Sequence, residues 1–252
     1  MTDMINEILS YLDPSCPYRG SLHYYETLES TNTLAKEMAR KGAPHGTVII
    51  AGSQSGGRGR MGRTFCSPVG NLYFSMLLKT QCPAQALMHL TCWAGVMACD
   101  AVQRLTGIRP GIKWINDLQY KGKKLGGILT ELVLNPKTGL ADYAVIGIGI
   151  NCLHTPEEVR DIATDLGQMT PESISPAALA AALAQSLWQG DWRTMPAQYR
   201  TDCVTLGKEV CVVQTGKIAR ALDVTDQGAL WVEYPDGSRE AVSSGEVSVK
   251  LL

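Results

Sequence analysis

Three arginines lie in one glycine-rich stretch, residues 53–65, which reads SQSGGRGRMGRTF. Guanidinium groups bind carboxylates and phosphates through paired hydrogen bonds, and glycines let the backbone approach a ligand closely. The pattern therefore predicts a flexible loop that folds Arg58, Arg60 and Arg63 over an anion. We expect the anion to order this loop, at some cost in affinity.

The same glycines match G-x-G-x-x-G at residues 57–62, the dinucleotide-binding fingerprint. That fingerprint requires a helix directly after the glycines, because the helix N-terminus binds the pyrophosphate. Residues 64–71 are instead rich in turn formers, and a strand is predicted after them. No G-K-[ST] follows the glycines, so a P-loop is excluded as well.

A second polar group lies in KWINDLQYKGKKLGGILTEL, residues 113–132. Lys113, Asn116 and Asp117 stand at a predicted strand end, where irregular backbone presents polar groups to a cleft. Lys113 has apolar neighbours, so we expect it to be partly buried, and a buried lysine needs an anionic partner. Local sequence leaves open whether that partner is Asp117, another acid or a ligand.

The segment GIGIN, residues 147–151, places Gly147 and Gly149 on one face of a predicted strand. Glycine weakens a strand unless another group must approach its backbone closely. A backbone or a ligand is therefore expected against these glycines, with Asn151 at the end of the strand.

Composition limits the classes of function. The chain has 252 residues, with 45% hydrophobic and 19% charged residues and a net charge of −1. No global field favours nucleic acid or anionic lipid. The eight cysteines form no C-x-x-C pair and the four histidines are scattered, so no metal site is expected. The sequence shows neither a signal peptide nor a membrane span, which predicts a cytoplasmic protein with reduced thiols.

Hydrophobic periodicity predicts the elements that position these residues. Within residues 1–20 an amphipathic helix is predicted, ended by Pro14 and Pro17. Further helices are predicted from Ser30 or Thr31 to Gly42, at 84–105, and at 175–189 with Ser175 as N-cap. Strands are predicted at 22–28, 46–54, 71–79, 111–117, 125–134 and 142–151. The last of these is nearly all apolar at first and is expected to be central.

The pattern of apolar and polar residues changes after about Leu206. Short alternating runs are separated by Thr-Gly, Asp-Gln-Gly and Asp-Gly turns, which are typical of β-hairpins in a small barrel. Two domains are predicted: an α+β main domain at 1–205 and a small all-β domain at 206–252.

These pieces, in this order, resemble the biotin protein ligase family. The resemblance covers nearly the whole chain and rests on ESTN, GRGRMGR, KWIND, KLGGILTE, GIGIN and SGEVSV. It implies an α+β fold, a class II synthetase-like mixed sheet with helices that is shared with lipoate ligases, plus an SH3-like C-terminal barrel. It also implies ATP and biotin as substrates, with Mg²⁺, to form biotinyl-5′-AMP and pyrophosphate. A lysine of a biotin carboxyl carrier protein, a subunit of acetyl-CoA carboxylase, would then attack the adenylate.

The resemblance also implies roles for single residues. Lys113 matches the family's lysine at the reacting carboxyl–phosphate centre, and it is implied to be catalytic together with Arg58 and Arg60. The implied biotin-binding residues are Ser30, Thr31, Asn32, Gln54, Arg58, Gly59, Arg60 and Lys113. The implied ATP-binding residues are Arg60, Arg63, Asn116, Lys124 and Asn151.

Three positions depart from the family pattern: Phe65 replaces the common Trp, Ile115 the usual Pro, and Gly126 the usual Ala. About twenty-five residues precede ESTN, fewer than a three-helix DNA-binding module needs, so no repressor function and no nucleic-acid partner are expected. The oligomeric state stays open, although homodimers are frequent in the family.

Two alternatives compete with this reading. A lipoate or octanoate ligase would share the fold, but the polar Ser-Thr-Asn set suits a ureido group better than a dithiolane. An arginine-loop nucleic-acid module would need a wider basic surface with stacking aromatic residues. The chain has only two Phe and no positive net charge.

Overall fold

The computed structural model describes residues 2–153, 155, 157–191, 193–213, 215–243 and 249–251. The SGEVSV motif, apart from Val249, lies outside the described residues.

Helices and strands are mixed along the first 202 residues, and the elements described after them are all strands. The helices are α1 (Thr2–Tyr11), α2 (Thr31–Arg40), α3 (Ala86–Thr106), α4 (Pro176–Gln189) and α5 (Met195–Asp202). The first strands are β1 (Leu22–Leu28), β2 (Val48–Gln54), β3 (Leu72–Cys82), β4 (Gly111–Lys113), β5 (Asp117–Tyr120), β6 (Lys123–Leu134) and β7 (Ala141–Ile150). The later strands are β8 (Glu209–Val212), β9 (Lys217–Val224), β10 (Leu230–Glu233), β11 (Arg239–Val242) and β12 (Val249–Leu251).

The first seven strands form one mixed sheet in the order β1-β2-β3-β7-β6-β5-β4. β1 and β2 are parallel, and the other neighbouring strands are antiparallel. β7 is the middle strand, which confirms the central position predicted from its apolar sequence. Since β2 leads through the glycine-rich loop into the antiparallel β3, that loop has no helix after it, as its sequence predicted.

The helices cover the sheet on two faces. One large core holds residues of α1, α3 and α4 packed on the sheet, and it continues into the strands after residue 209. On the other face, α2 packs through Ala35 and Ala39 against Ile49, Leu77 and Val145 in a smaller cluster. Buried apolar surface of this kind stabilises a fold by about 25 cal/mol per Å².

The last five strands form a separate antiparallel sheet in the order β11-β10-β9-β8-β12. Its turns contain Gly216, Gly228 and Gly237, each at positive φ, as the hairpin pattern predicted. The α+β class and the small all-β C-terminal unit are therefore confirmed. The boundary at residue 205 stays a prediction.

The first helix ends at Tyr11, before Pro14, as its prolines predicted, and Asp13 accepts hydrogen bonds from the Ser15 backbone and hydroxyl. Two local predictions need correction. The predicted strand at 111–117 is broken by a turn between β4 and β5. Helix α5 was not predicted at all, since its eight residues have only weak amphipathic spacing.

Two long-range hydrogen bonds hold the turn that breaks the strand. At Trp114 the backbone N–H donates to Thr205 Oγ1 at 2.9 Å, and the indole Nε1–H donates to the Gly228 carbonyl oxygen at 2.9 Å. Gly228 has φ +88°, which favours glycine, and a Cβ there would lie 3.0 Å from Cys92 Sγ and 3.2 Å from Met88 of α3. Trp114 therefore connects the first sheet to the turn between β9 and β10.

We expect Trp114→Phe to lower the free energy of unfolding by about 1–3 kcal/mol, because it leaves a buried carbonyl oxygen unpaired. The measurement is urea unfolding followed by circular dichroism. Trp231→Phe is the matched control, because Trp231 is 40% exposed. Equal stability of the two variants would contradict the role given to the indole hydrogen bond.

Candidate active site

One cavity of about 190 Å³ opens where the glycine-rich loop, α2 and the β4–β5 turn meet β6 and β7. Of the predicted residues, those that line it are Ser30, Thr31, Asn32, Gln54, Arg58, Gly59, Arg60, Arg63, Lys113, Asn116 and Lys124. Asn151 does not line it. Its side-chain amide donates instead to the Thr164 carbonyl oxygen at 2.9 Å, so its predicted nucleotide contact stays a prediction without support from the geometry.

The N-terminus of α2 forms the neutral end of the cavity. Ser30 occupies the predicted N-cap position, but its side chain makes no capping hydrogen bond. The Thr31 backbone N–H donates instead to Gln54 Oε1 at 2.9 Å. Gln54 is held in turn by a hydrogen bond from its Nε2 to Ser67 Oγ at 3.0 Å. The cap is thus supplied by a neighbouring strand, which leaves the Ser30 hydroxyl at the cavity.

Asn32 has a fixed amide orientation. Its Nδ2 donates to the Leu129 carbonyl oxygen at 3.0 Å and to Glu131 Oε2 at 2.9 Å. Its Oδ1 lies 2.6 Å from Ser75 Oγ, which also approaches Thr31 Oγ1 at 2.7 Å. Since the Ser75 hydroxyl carries one proton, it serves one of these oxygens at a time. The result is a rigid set of amide and hydroxyl groups, the kind of surface that recognises an uncharged polar group.

The two glycines of β7 make room for site side chains. A Cβ at Gly147 would lie 2.2 Å from Asn32 Oδ1, and a Cβ at Gly149 would lie 2.6 Å from the Phe65 ring. The sequence predicted that a backbone or a ligand would approach these glycines. The approaching groups are instead Asn32 and Phe65, so the glycines serve the site by positioning its walls.

The glycine-rich loop is folded as a tight hairpin. Gly59 N–H donates to the Arg63 carbonyl oxygen at 2.7 Å, and Phe65 N–H donates to the Gly57 carbonyl oxygen at 2.9 Å. At its tip, Met61 has φ +56°, a left-handed conformation that is uncommon for a side chain of this size. The hairpin directs its arginines towards one cavity.

Positive charge dominates the other end of the cavity. Five cationic side chains line it, whereas Asp117 is the single carboxylate among its described lining residues. The cations are Arg58, Arg60, Arg63, Lys113 and Lys124. Such an excess of positive charge favours a ligand that carries a carboxylate or phosphates.

The two lysines differ in their partners. Lys124 Nζ donates to Asp117 Oδ1 at 2.7 Å and lies 5.9 Å from the centre of the Phe65 ring. Lys113 is partly buried, as predicted, and within the described part of the chain its Nζ has no hydrogen bond or ion pair. Asp117, the first partner considered for Lys113, is therefore paired with Lys124.

Arg60 reaches further into the site than its neighbours. Its Nη1 donates to Asn116 Oδ1 at 3.1 Å, while Asn116 Nδ2 donates to the Ile128 carbonyl oxygen at 2.9 Å. Burial lowers the pKa of the Arg60 guanidinium, an effect that the nearby Asp117 carboxylate opposes. An arginine still stays protonated, so burial here produces a cation with little water around it.

An aromatic wall joins the two ends. Phe65 packs edge-on against Tyr73, with ring centres 6.4 Å apart. The Tyr73 hydroxyl donates to the Pro68 carbonyl oxygen at 2.7 Å, and burial raises its pKa. Tyr73 is therefore a neutral structural group that supports the wall.

The sequence did not single out Ser67, Tyr73, Ser75 or Glu131. Ser75 lies in the otherwise apolar run 72–78, which is a local signal that was open to use, whereas Glu131 follows the polar Thr130 and gave no such signal. Ser67 and Tyr73 gave no local signal, since their roles depend on Gln54 and Phe65 across the loop.

Taken together, the cavity offers fixed neutral hydrogen-bonding groups, an aromatic wall, and a group of cations of which Arg60 has little water around it. It can hold an elongated molecule with an amide-like head and an acidic tail, and place the acid beside a polyanion. Such a site lowers the barrier between two anionic reactants by positioning and by charge stabilisation.

Comparison with known proteins gives consistent matches. Residues 24–151 match the model of the biotin/lipoate A/B protein ligase family, and residues 205–250 match the biotin protein ligase C-terminal domain. The chain is 32% identical over 237 residues to the bifunctional ligase/repressor BirA of Bacillus subtilis, covering 88% of this chain and 72% of that protein. It is 34% identical over 236 residues to the biotin--[acetyl-CoA-carboxylase] ligase of Mycobacterium tuberculosis, covering 86% and 85%.

Solved structures agree with the sequence matches. The biotin protein ligase from Aquifex aeolicus in complex with biotin and ATP superposes with a TM-score of 0.77 at 26% identity, covering 92% of this chain and 99% of that chain. The chain is therefore a ligase that belongs to the biotin/lipoate A/B protein ligase family and carries the C-terminal domain of the biotin protein ligases.

Proposed function

We propose that this ligase activates biotin with ATP to give biotinyl-5′-AMP and pyrophosphate, and then transfers biotin to a lysine of a biotin carboxyl carrier protein of acetyl-CoA carboxylase. The observation that carries the proposal is the two-ended cavity, with a rigid amide and hydroxyl set opposite five cations. The Mycobacterium tuberculosis relative is named for this reaction, and the Aquifex aeolicus structure holds both substrates.

The neutral end is suited to the ureido head of biotin. Asn32, Thr31 and Gln54 present fixed hydrogen-bonding groups there, and Ser30 adds a hydroxyl not used for capping. A dithiolane ring has no N–H or carbonyl group to match them. A site built from polar groups discriminates strongly against a ligand that leaves those groups unpaired.

The cationic end is suited to the reacting centre. In the first step an oxygen of the biotin carboxylate attacks the α-phosphorus of ATP, and pyrophosphate leaves with the electron pair of the broken bond. Lys113, Arg58 and Arg60 are proposed to balance the charge of the carboxylate and the α-phosphate, while Arg63, Lys124 and Asn116 contact ATP. In the second step the carrier lysine nitrogen attacks the carbonyl carbon, and AMP leaves as the amine loses a proton.

The reaction implies Mg²⁺ with ATP. The described residues contain no group of three or more His, Cys, Asp or Glu side chains placed to hold a metal ion. Asp117 is an acidic lining residue, but it is engaged by Lys124. Mg²⁺ usually keeps several waters and binds substrate phosphates with few protein ligands, so the site fits an ion held mainly by ATP.

Among the described helices, none is long and apolar enough to cross a membrane. Because the proposed reaction consumes ATP, we place it in the cytoplasm. A homodimer stays a prediction.

The proposed first step predicts biotin-dependent exchange of labelled pyrophosphate into ATP. Lys113→Ala should reduce this exchange by at least about a hundredfold, a loss typical of a group that stabilises charge in the transition state. Lys121→Ala, in the exposed turn between β5 and β6, is the control and should exchange normally. Exchange with lipoate but not with biotin would favour the lipoate ligase alternative.

The neutral end can be tested separately through Gly147. In Gly147→Ala the new methyl group would overlap Asn32 Oδ1, so Asn32 must leave its position. We expect KM for biotin to rise by about tenfold or more, since the pocket loses a hydrogen-bonding pattern, while KM for ATP stays within a factor of about two or three, the spread of context effects.

Gly20→Ala provides the matched control for this substitution, because its added Cβ would meet no atom within 4 Å. An unchanged KM for biotin in Gly147→Ala would remove Asn32 from the biotin site.

A further inference from the structure

Glu131 on β6 does not line the cavity, but it contacts two residues that do, Asn32 and Arg58. Its carboxylate accepts from Asn32 Nδ2 at 2.9 Å, from Lys36 Nζ at 2.7 Å, and from Arg58 Nη2 at 3.2 and 3.3 Å. Burial opposes its ionisation, but these hydrogen bonds and the two cations outweigh that effect and lower the pKa of Glu131. The carboxylate is therefore charged at neutral pH and faces two cations at once.

The two cations are held differently. Lys36 belongs to α2, its side chain is 18% exposed, and its contact with Glu131 is short. Arg58 belongs to the glycine-rich hairpin, its side chain is 43% exposed, and both of its contacts are long. Lys36 thus makes the shorter and more buried contact with Glu131, while Arg58 makes the longer and more exposed one, the kind of ion pair that contributes little free energy.

Arg58 also lines the cavity, whereas Glu131 does not. An anion in the cavity and the Glu131 carboxylate therefore compete for the same guanidinium. If Arg58 moves to such an anion, Lys36 still compensates the partly buried carboxylate, and the exchange avoids the cost of leaving it unpaired.

We propose that Glu131 is a positioning residue that holds Arg58 at the rim of the cavity and exchanges it with the anionic ligand, while Lys36 keeps the carboxylate neutralised. The identity of that anion rests on the proposed function. The contact between Arg58 and Glu131 does not, and it can be tested without any ligand.

The test uses trypsin, which cleaves after an arginine only when the guanidinium enters its acidic specificity pocket. An ion pair with Glu131 therefore protects the peptide bond after Arg58 from cleavage by trypsin. The bond after Arg63 is an internal reference in the same hairpin, because among the described residues the Arg63 side chain has no ion pair. The quantity measured is the ratio of cleavage rates after Arg58 and after Arg63, obtained by mass spectrometry of short digests of the full chain.

Two variants should move this ratio in opposite directions. Glu131→Gln keeps an oxygen that accepts from Asn32 but removes the charge, so the ratio should rise by about two- to fivefold, the range that an exposed ion pair gives. Lys36→Met leaves Arg58 as the sole cation on Glu131 among the described residues, so the ratio should fall.

An unchanged ratio in either variant, or a shift of both in the same direction, would overturn the proposal. Circular dichroism confirms that each variant is folded, and Lys36→Met alone decides the matter if Glu131→Gln does not fold. Because these digests contain neither biotin nor ATP, failure here leaves the proposed function untouched. If the enzyme fails to exchange pyrophosphate, the ratio of cleavage rates after Arg58 and Arg63 still tests the contact between Arg58 and Glu131.

Discussion

The site depends on a local loss of side-chain packing in the middle of the sheet. β7 is the central strand, and at Gly147 and Gly149 it has no side chain on the face that carries α2. Asn32 and Phe65 occupy the space that two side chains would otherwise fill. β7 pairs with β3 on one side and with β6 on the other across Gly147 and Gly149. The strand therefore keeps its hydrogen bonds although two of its residues have no side chain to pack.

The cavity is thus lined by neutral hydrogen-bonding groups in one part and by charged groups in another. At the neutral end, Thr31 and Asn32 of α2 are fixed by partners on the strands, so recognition requires little reorganisation. At the other end, cations of a hairpin and of two strands converge with few acidic groups nearby. Glu131 lies between these regions and contacts both, through Asn32 and through Arg58.

Local patterns in the sequence predicted the central strand, the helix capped by Ser175 and the glycine turns of the second sheet. The Ser175 hydroxyl accepts from the Ala178 N–H at 3.0 Å, so this cap is confirmed. Such features depend on neighbouring residues, whose physical preferences are visible in a short window. The ordered motifs likewise identified most of the cavity lining.

Features set by distant partners were not predictable in this way. The turn at Trp114 depends on Thr205 and Gly228, which lie 91 and 114 residues further along the chain. Glu131 contacts Lys36 and Arg58, which lie 95 and 73 residues before it in the chain. In both cases the neighbouring residues in the chain carry no sign of these partners, and only the sheet topology brings them together.

The link from Trp114 to the second sheet has a consequence for how the two units can vary. The acceptor is a backbone carbonyl, so its chemistry is independent of the side chains of the second sheet. This contact requires only a glycine turn that fits against α3. Side chains hold the same turn as well, since Arg200 of α5 pairs with Asp223 of β9 and with Asp226 of the turn. A C-terminal unit of different sequence could therefore support the wall of the cavity only if its turn presented both the carbonyl and the two carboxylates at the same place.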